Sequence, residues 1–370
     1  MEIFKPYSFD KGLFLTTLAM ITLGMVMVYS ATGVLAGEKM HQTFYFLIQQ
    51  AVGAGIGFVF IFIMMSIKKP FYQNKYFIFG LLALAFILLV LCFSMPAVAK
   101  TNRWISMFGV RFQPSELAKL SLILFLALYL DMKKDRLDEL PMLLVPLAVL
   151  FLFVLLILKE PDFGTAVLTF GICAVLLYIG GVKLRYFFCL GLVSLPLFVF
   201  YIFQARYRVD RFLAFLYPDK DLLSLNFQVA QSKIALGSGG LLGVSLGESA
   251  QKLYFLPCAH TDFIFAIIGE ELGLVGTLAT VALFVIFLWR GLVIAFKAPN
   301  LFSQIAAAGL TLMIVAQALL NITVVLGLGP AKGVPLPLLS YGRSSLVTNL
   351  FAIGILLHIS QRKGDRRTIK

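Results

Sequence analysis

The sequence predicts an all-α protein that crosses a membrane ten times, and three observations carry that prediction. Of 370 residues, 60% are hydrophobic and 13% charged, with a mean hydropathy of +0.95. A soluble domain carries about 25% charged residues and under half apolar ones, so a soluble enzyme, a disordered chain and a coiled coil are all excluded. The apolar residues also fall in long runs, and a helix needs about 20 of them to cross ~30 Å of hydrocarbon.

Taken in order, the uncharged runs are residues 12–37, 40–67, 76–99, 140–158, 163–182 and 186–205, then 298–331, long enough for a span and a loop, and 344–361. Two further spans hold charges: 114–130, with Glu116 and Lys119, and 262–289, with Glu270 and Glu271. An even number of spans puts both termini on one side. Placing them in the cytoplasm collects most of the Lys and Arg there, including Lys68, Lys69, Lys133, Lys134, Lys183, Arg290 and the basic tail, as the positive-inside rule requires. The net charge of +13 is then a matter of topology, and no nucleic-acid partner is expected. No small-residue cleavage pattern follows the first run, which reads as a retained span. The chain is expected to form one membrane domain over residues 1–370, with a large outer loop, 206–261, between the seventh and eighth helices.

The four cysteines, Cys92, Cys173, Cys189 and Cys258, form no CxxC pair, which argues against a metal cluster or disulfide framework. The three histidines suggest no zinc site: His41 and His358 fall on opposite faces, and His260 has no second histidine beside it.

In this orientation the cytoplasmic connections are short and basic, and the informative polar residues gather in the outer ones. Gln113-Pro114-Ser115-Glu116 is a helix start, with proline at the first position and an acid in the first turn. Glu116 and Lys119, three apart, share a face; intramembrane charges mark a site or a paired contact. Asp162 before Phe163-Gly164-Thr165 reads as a helix cap or a site residue. Asp262, at the start of the next long span and beside His260, reads as a plain helix cap or as an ionised carboxylate available as a weak general base. Glu270 and Glu271, deeper in the same span, are expected in a structural ion pair. The glycine-rich 237–249 stretch lacks the ending of a phosphate loop and reads as a tight turn. The Pro/Gly-broken segment around 329–337 makes Lys332 a candidate cavity residue, because irregular backbone at membrane depth is tolerated only when buried or lining a cavity.

Six segments then stand out together: RWISMFGVRFQPSELAK (103–119), EPDFGTA (160–166), RYRVDRF (206–212), FQVAQSKIALGSGGLLG (227–243), LGESAQKLYFLPCAHTDFIFAIIGEELG (246–273) and KGVPLPLLSYG (332–342). In this order they resemble the SEDS proteins (shape, elongation, division and sporulation), from the first span to the last. The QKL before HTDFIFA and the lysine of AKGVPLPLLSYG are closer to the division branch than to the elongation branch. The resemblance implies a peptidoglycan glycosyltransferase of the bacterial cytoplasmic membrane, multi-pass and at the division septum, polymerising lipid II on the outer face. By the same resemblance Asp262 is the catalytic acid of the outer loop, acting as general base on the attacking sugar 4-hydroxyl. Glu116, Lys119 and Asp162 match polar cavity residues, Arg208 and Arg211 an outer-loop pair, and Lys332 a division-type lysine. Cations must balance charge on the departing pyrophosphate, which adds Arg103; His260 joins the substrate-binding set as the neighbour of Asp262. The resemblance also implies a divalent cation, Mg or Mn, with Asp162 or Asp262 as ligand, and as partners a class B penicillin-binding protein (the transpeptidase), other division proteins and membrane lipid.

Two positions depart from the family pattern. Cys258 stands where an acidic residue is usual, and Arg343 where a second glycine is usual. The alternatives to a division-type polymerase are an elongation-type one, a lipid II flippase and a non-catalytic scaffold. A flippase needs access from both faces, whereas the polar residues cluster on one, and no inverted repeat of broken helices is evident. A scaffold would tolerate loss of Asp262.

Overall fold

A computed structural model of the chain describes residues 9–40, 42–68, 70–95, 103–107, 110–137, 139–217, 226–252, 255–330 and 333–361. Within them the protein is a helical bundle: α1 (Lys11–Met40), α2 (Tyr45–Ser66), α3 (Lys75–Cys92), α4 (Pro114–Lys133), α5 (Leu140–Lys159), α6 (Phe163–Ile179), α7 (Leu184–Phe203), α8 (Arg206–Leu216), α9 (Phe227–Ser238), α10 (Ile264–Phe296), α11 (Leu301–Val325) and α12 (Arg343–Gln361). Eight of these, α1, α2, α3, α5, α7, α10, α11 and α12, are long and apolar enough to cross a membrane. The other two spans expected from sequence are α6, which is apolar but shorter, and α4, which carries Glu116, Lys119, Asp131 and Lys133.

Burial sorts the helices by role. The spanning segments of α12 and α11 are 78% and 67% buried, against 12% for α7. Helix α4 is buried on nearly every side despite its charges, so α4, α11 and α12 form the inner layer. Phe188 and Leu192 of α7 face outward, as side chains against lipid do. The tightest helix pair is α2 with α12, where Gly57 leaves no room for a β-carbon against Leu350; small residues permit such approach when lipid is as apolar as the interface.

Two features of the connections were not visible as such in the sequence. The 100–113 segment contains a two-stranded antiparallel hairpin, Ile105–Met107 (β1) with Val110–Phe112 (β2). The 206–261 loop is structured too: α8 is short and amphipathic, α9 follows, and residues 239–252 then fold against α10. The tight turn expected at 237–249 is therefore a docked segment. The docking works because α10 is broken at Gly273 (φ 66°, ψ −159°). The break frees peptide groups that have no water to turn to, and each such group costs several kcal/mol if unpaired. The loop supplies the partners. Val244 and Ser245 donate to the carbonyls of Glu270 (3.0 Å) and Glu271 (3.2 Å), while Leu274 and Val275 donate to Gly240 (2.9 Å) and Leu241 (3.2 Å). Side chains reinforce the seam. Lys252 pairs with Glu271 at 2.9 Å, Ser30 of α1 donates to the same carboxylate, and Glu270 accepts from Ser249 and from the Ala250 amide. The structural ion pair expected for this acidic doublet is thus Glu271–Lys252.

Gly243 and Gly247 both have a left-handed backbone (φ 83° and 89°), but a β-carbon on Gly243 would lie 2.1 Å from the Glu271 carbonyl oxygen, whereas one on Gly247 meets nothing. Gly247→Ala is expected to cost only backbone strain, about 1 kcal/mol. Gly243→Ala should cost clearly more, because it parts the loop from α10. Thermal melts of the two variants in detergent check this; equal shifts would mean the seam does not hold the loop.

Candidate active site

Asp262 reaches its position through a turn that depends on one carbonyl. The oxygen of Cys258 accepts from the amides of Thr261 (3.1 Å), Asp262 (3.1 Å) and Phe263 (3.4 Å), with Cys258 itself in the left-handed region (φ 58°). Three contacts lock this turn to the segment before α12. Asn321 of α11 donates one amide nitrogen to both the Asp262 and Val334 carbonyls, at 2.7 Å each. Ser340 donates to the Thr261 carbonyl, and the Tyr341 amide donates to the His260 carbonyl at 2.9 Å. Gln317 of α11 adds a bond to the Pro335 carbonyl at 3.1 Å. Helix α11 therefore holds the base-bearing turn and the Pro/Gly-broken segment together.

A cleft opens beside Asp262. Its lining includes Arg103, Asp162, Arg208, Arg211 and Gly333, so four of the residues singled out from sequence share one surface. Gly333 marks where Asp262 meets that surface: a β-carbon there would lie 2.9 Å from Asp262 Oδ2 and 3.7 Å from Arg103 Nη2, so only glycine leaves carboxylate and guanidinium facing each other. Burial pushes the Asp262 carboxyl up to about 6, Arg103 pulls it back down, and Asp162 raises it further. Asp162 caps α6, accepting from the Thr165 amide at 3.1 Å and from Gln113 at 3.1 Å; cap and cleft wall are one role. Arg208 is held over the Tyr201 ring, 3.6 Å from its centroid, and donates to the Tyr201 carbonyl at 2.7 Å.

The remaining sequence candidates lie elsewhere. Glu116 and Lys119 pair at 2.9 Å with side chains 3% and 1% exposed; Lys119 also donates to Gln317 at 2.6 Å. They form a buried polar knot, away from the cleft lining. His260 packs its ring against Phe46 and Tyr341, and burial lowers its pKa, so it is neutral at pH 7. Lys332 lies outside the described residues. Glu160 escaped the sequence reading. It is fully buried, and neither of its carboxylate oxygens is paired in hydrogen-bond geometry. Burial pushes it up to about 8, with Asp162 adding to the rise and the nearby Cys92 thiol and Arg103 opposing it. Gln317 and Asn321, amides inside an apolar run, were the available signal for the α11 anchor. As for a divalent cation, both Asp162 oxygens are already engaged, and among the described residues no group of three His, Cys, Asp or Glu side chains comes together. No step below runs through a metal.

The family model of the FtsW, RodA and SpoVE cell cycle proteins matches residues 11–365. The chain belongs to this family. A probable peptidoglycan glycosyltransferase FtsW of Geobacter sulfurreducens is 42% identical over 358 residues, 96% of this chain and 95% of that one. Stage V sporulation protein E of Bacillus subtilis is 40% identical over 359 residues, 96% and 98% of the two chains. Among solved structures, a chain of a peptidoglycan synthase complex that coordinates polymerisation and crosslinking superposes with a TM-score of 0.78 at 25% identity, covering 97% and 99%. Rod shape determining protein RodA of Thermus thermophilus gives 0.71 at 25%, covering 96% and 98%. The all-α membrane fold expected from the sequence is thus the FtsW/RodA/SpoVE fold.

Removing one member of a buried ion pair strands the other, at a cost on the order of 3 kcal/mol. Glu116→Gln and Lys119→Met are each expected to lower thermal stability by that amount, and the double variant to recover most of the loss. Melting curves of the three proteins decide it; additive losses would show that the two charges are stabilised independently.

Proposed function

We propose that this chain is a peptidoglycan glycosyltransferase that polymerises lipid II on the outer face of the bacterial cytoplasmic membrane for septal wall synthesis. The observation that carries the reading is the Asp262 carboxylate facing Arg103 across Gly333, at a cleft whose other cations are Arg208 and Arg211. The relatedness to a probable peptidoglycan glycosyltransferase supports glycosyl transfer, and membership of a family of cell cycle proteins supports a role in division. The Lys/Arg distribution supports cytoplasmic termini, ten spans and an outward-facing cleft.

In this reading the acceptor sugar's 4-hydroxyl gives its proton to Asp262 as its oxygen bonds the donor's anomeric carbon. The bond from that carbon to the lipid pyrophosphate breaks, and the pyrophosphate leaves with the electron pair. Arg103, Arg208 and Arg211 offset the negative charge that develops there; donors already in place at a transition-state charge cost no reorganisation. A base must be ionised yet basic enough to take a proton. A carboxyl near 6 is mostly ionised at pH 7 and a better base than one at the usual value of about 4. Asp162 holds the cleft wall through its cap. The synthase complex in which a structural neighbour was solved supports a class B penicillin-binding protein as partner. Convergence of the polar groups on one end of the bundle favours polymerisation over transport.

Asp262→Asn is expected to lower strand formation from labelled lipid II by about 10²–10⁴-fold, measured on gels with the cognate transpeptidase present and the complex intact. Wild-type strands from the variant would remove Asp262 as base; no strands from the wild type would remove the glycosyltransferase reading. The rate should also fall about tenfold per pH unit below pH 6, as the raised carboxyl of Asp262 protonates. Arg103→Gln should move that limb to higher pH, since Arg103 favours the charged form. A limb that stays near pH 4 in the wild type would show that another group takes the proton.

A further inference from the structure

The reaction described above uses the cleft on one flank of Asp262 and leaves a second set of groups on the other. Helices α4 and α11 each pack against both α6 and α12, while α6 and α12 form no packed pair among the described residues. The arginine cleft lies on the α6–α8 side. On the α2–α12 side the rings of Phe46, His260 and Tyr341 cluster, with centroids 5.0 to 5.9 Å apart, and the Tyr341 amide bonds the His260 carbonyl two residues before the base.

Arg343 stands beside this cluster at the start of α12. Its side chain lies over Gly53 of α2, where a β-carbon would come within 3.0 Å of it, and Nη1 donates to Gln49. A guanidinium has five N–H donors, and among the described residues no carboxylate pairs with this one. Glu116 of α4, which accepts from Ser345 of the same helix as Arg343 at 3.5 Å, is paired with Lys119. A second cation, the exposed Arg111, sits on β2, which packs against α12. Arg111, Arg343 and Tyr45 all act electrostatically on the Tyr341 hydroxyl, in keeping with the packing of β2 against α12. Two arginines without a carboxylate partner among the described residues, next to a group of partly exposed rings, suit a ligand with flat sugar faces and a carboxylate. The pyrophosphate end of the donor already has its cations in the other cleft, which leaves the acceptor.

We propose that Arg343, with Arg111 and Tyr341 beside it, binds a carboxylate of the peptide carried by the acceptor sugar, and is therefore a specificity-determining residue of this chain. The proposal rests on the glycosyltransferase reading and adds the side on which the acceptor lies. Arg343 is one of the two departures from the family pattern, so the preference it confers belongs to this chain and not to the family at large.

The test uses the full chain with its transpeptidase and two forms of lipid II, one with free peptide carboxyls and one with those carboxyls amidated. Initial rates and native mass spectrometry of the bound lipid are measured for wild type, Arg343→Gln and Arg343→Glu, with melting curves to confirm folding. The wild type is expected to show a KM about tenfold lower for the acidic form. Arg343→Gln should erase that difference and Arg343→Glu reverse it, with the change in KM and not in kcat; a purely structural arginine would not sort substrates by peptide charge. A wild type indifferent to amidation, or an Arg343→Gln variant that still discriminates, overturns the proposal and leaves Arg343 to lipid headgroups. If no protein forms strands, the glycosyltransferase reading fails by itself, and retention of acidic over amidated lipid on the wild type still decides the role of Arg343. If Arg343→Gln does not fold, Arg343→Lys replaces it: the charge remains but the fork is lost, and the preference should shrink without reversing.

Discussion

Inside an apolar bundle, a peptide group that leaves its helix must find another partner or cost several kcal/mol. That constraint governs the end of this molecule that carries the chemistry. Three stretches abandon helical bonding there: the turn before α10, the break at Gly273, and the segment from Gly333 to Gly342. Each is satisfied by another stretch of the chain. The Cys258 carbonyl closes the turn, the glycine-rich loop closes the break, and Asn321, Gln317 and Ser340 close the last segment. Asp262, His260 and Tyr341 all hang from backbone that would be untenable alone, so they are fixed relative to one another although they come from distant parts of the sequence.

The charges follow a complementary logic. Where the chain needs rigidity, opposite charges are closed against each other: Glu116 with Lys119, Glu271 with Lys252, and Asp10 with Arg290, the last through two bonds of 2.9 and 2.8 Å. At the edge of the cleft, one pair of opposite charges is left open. Arg103 and Asp262 face one another without a hydrogen bond between them, and Arg103 Nε is buried without a partner. Buried unpaired groups are costly, so they persist where a substrate can repay the cost. The scaffold charges are closed in pairs, whereas Arg103 and Asp262 are left open to a third group.

Which parts were legible in the sequence follows from this division. Spanning helices announce themselves by apolar length, and Pro114 and Glu116 mark a helix start that the structure keeps within a residue. The Glu116–Lys119 pair was readable because i, i+3 partners need no knowledge of tertiary contacts. The pairing of Glu271 with Lys252 and Ser30 was not, since it joins α1, the docked loop and α10, and no local spacing encodes that. The break at Gly273 was hidden for a related reason: a glycine in an apolar run reads as a tolerated helix residue, and only the docked loop shows why the helix can stop there. Glu160 escaped notice because burial is a property of the neighbours.

Cys258 and Arg343, the two positions read from the sequence as departures from the family pattern, are both accommodated by backbone. At Cys258 the turn is built by the carbonyl, which any residue supplies, so replacing an acid there leaves the delivery of Asp262 intact. It also takes one negative charge out of the neighbourhood of the base, and an acid four residues away would have raised the carboxyl of Asp262 further. At Arg343 the bulk of the new side chain is accommodated by the absence of one at Gly53, on the helix it crosses. One departure removes a negative charge and the other adds a positive one, on either side of the same aspartate. The first change acts on Asp262, whose ionised form it favours; the second acts beside Tyr341, where it favours an anion brought to the other flank.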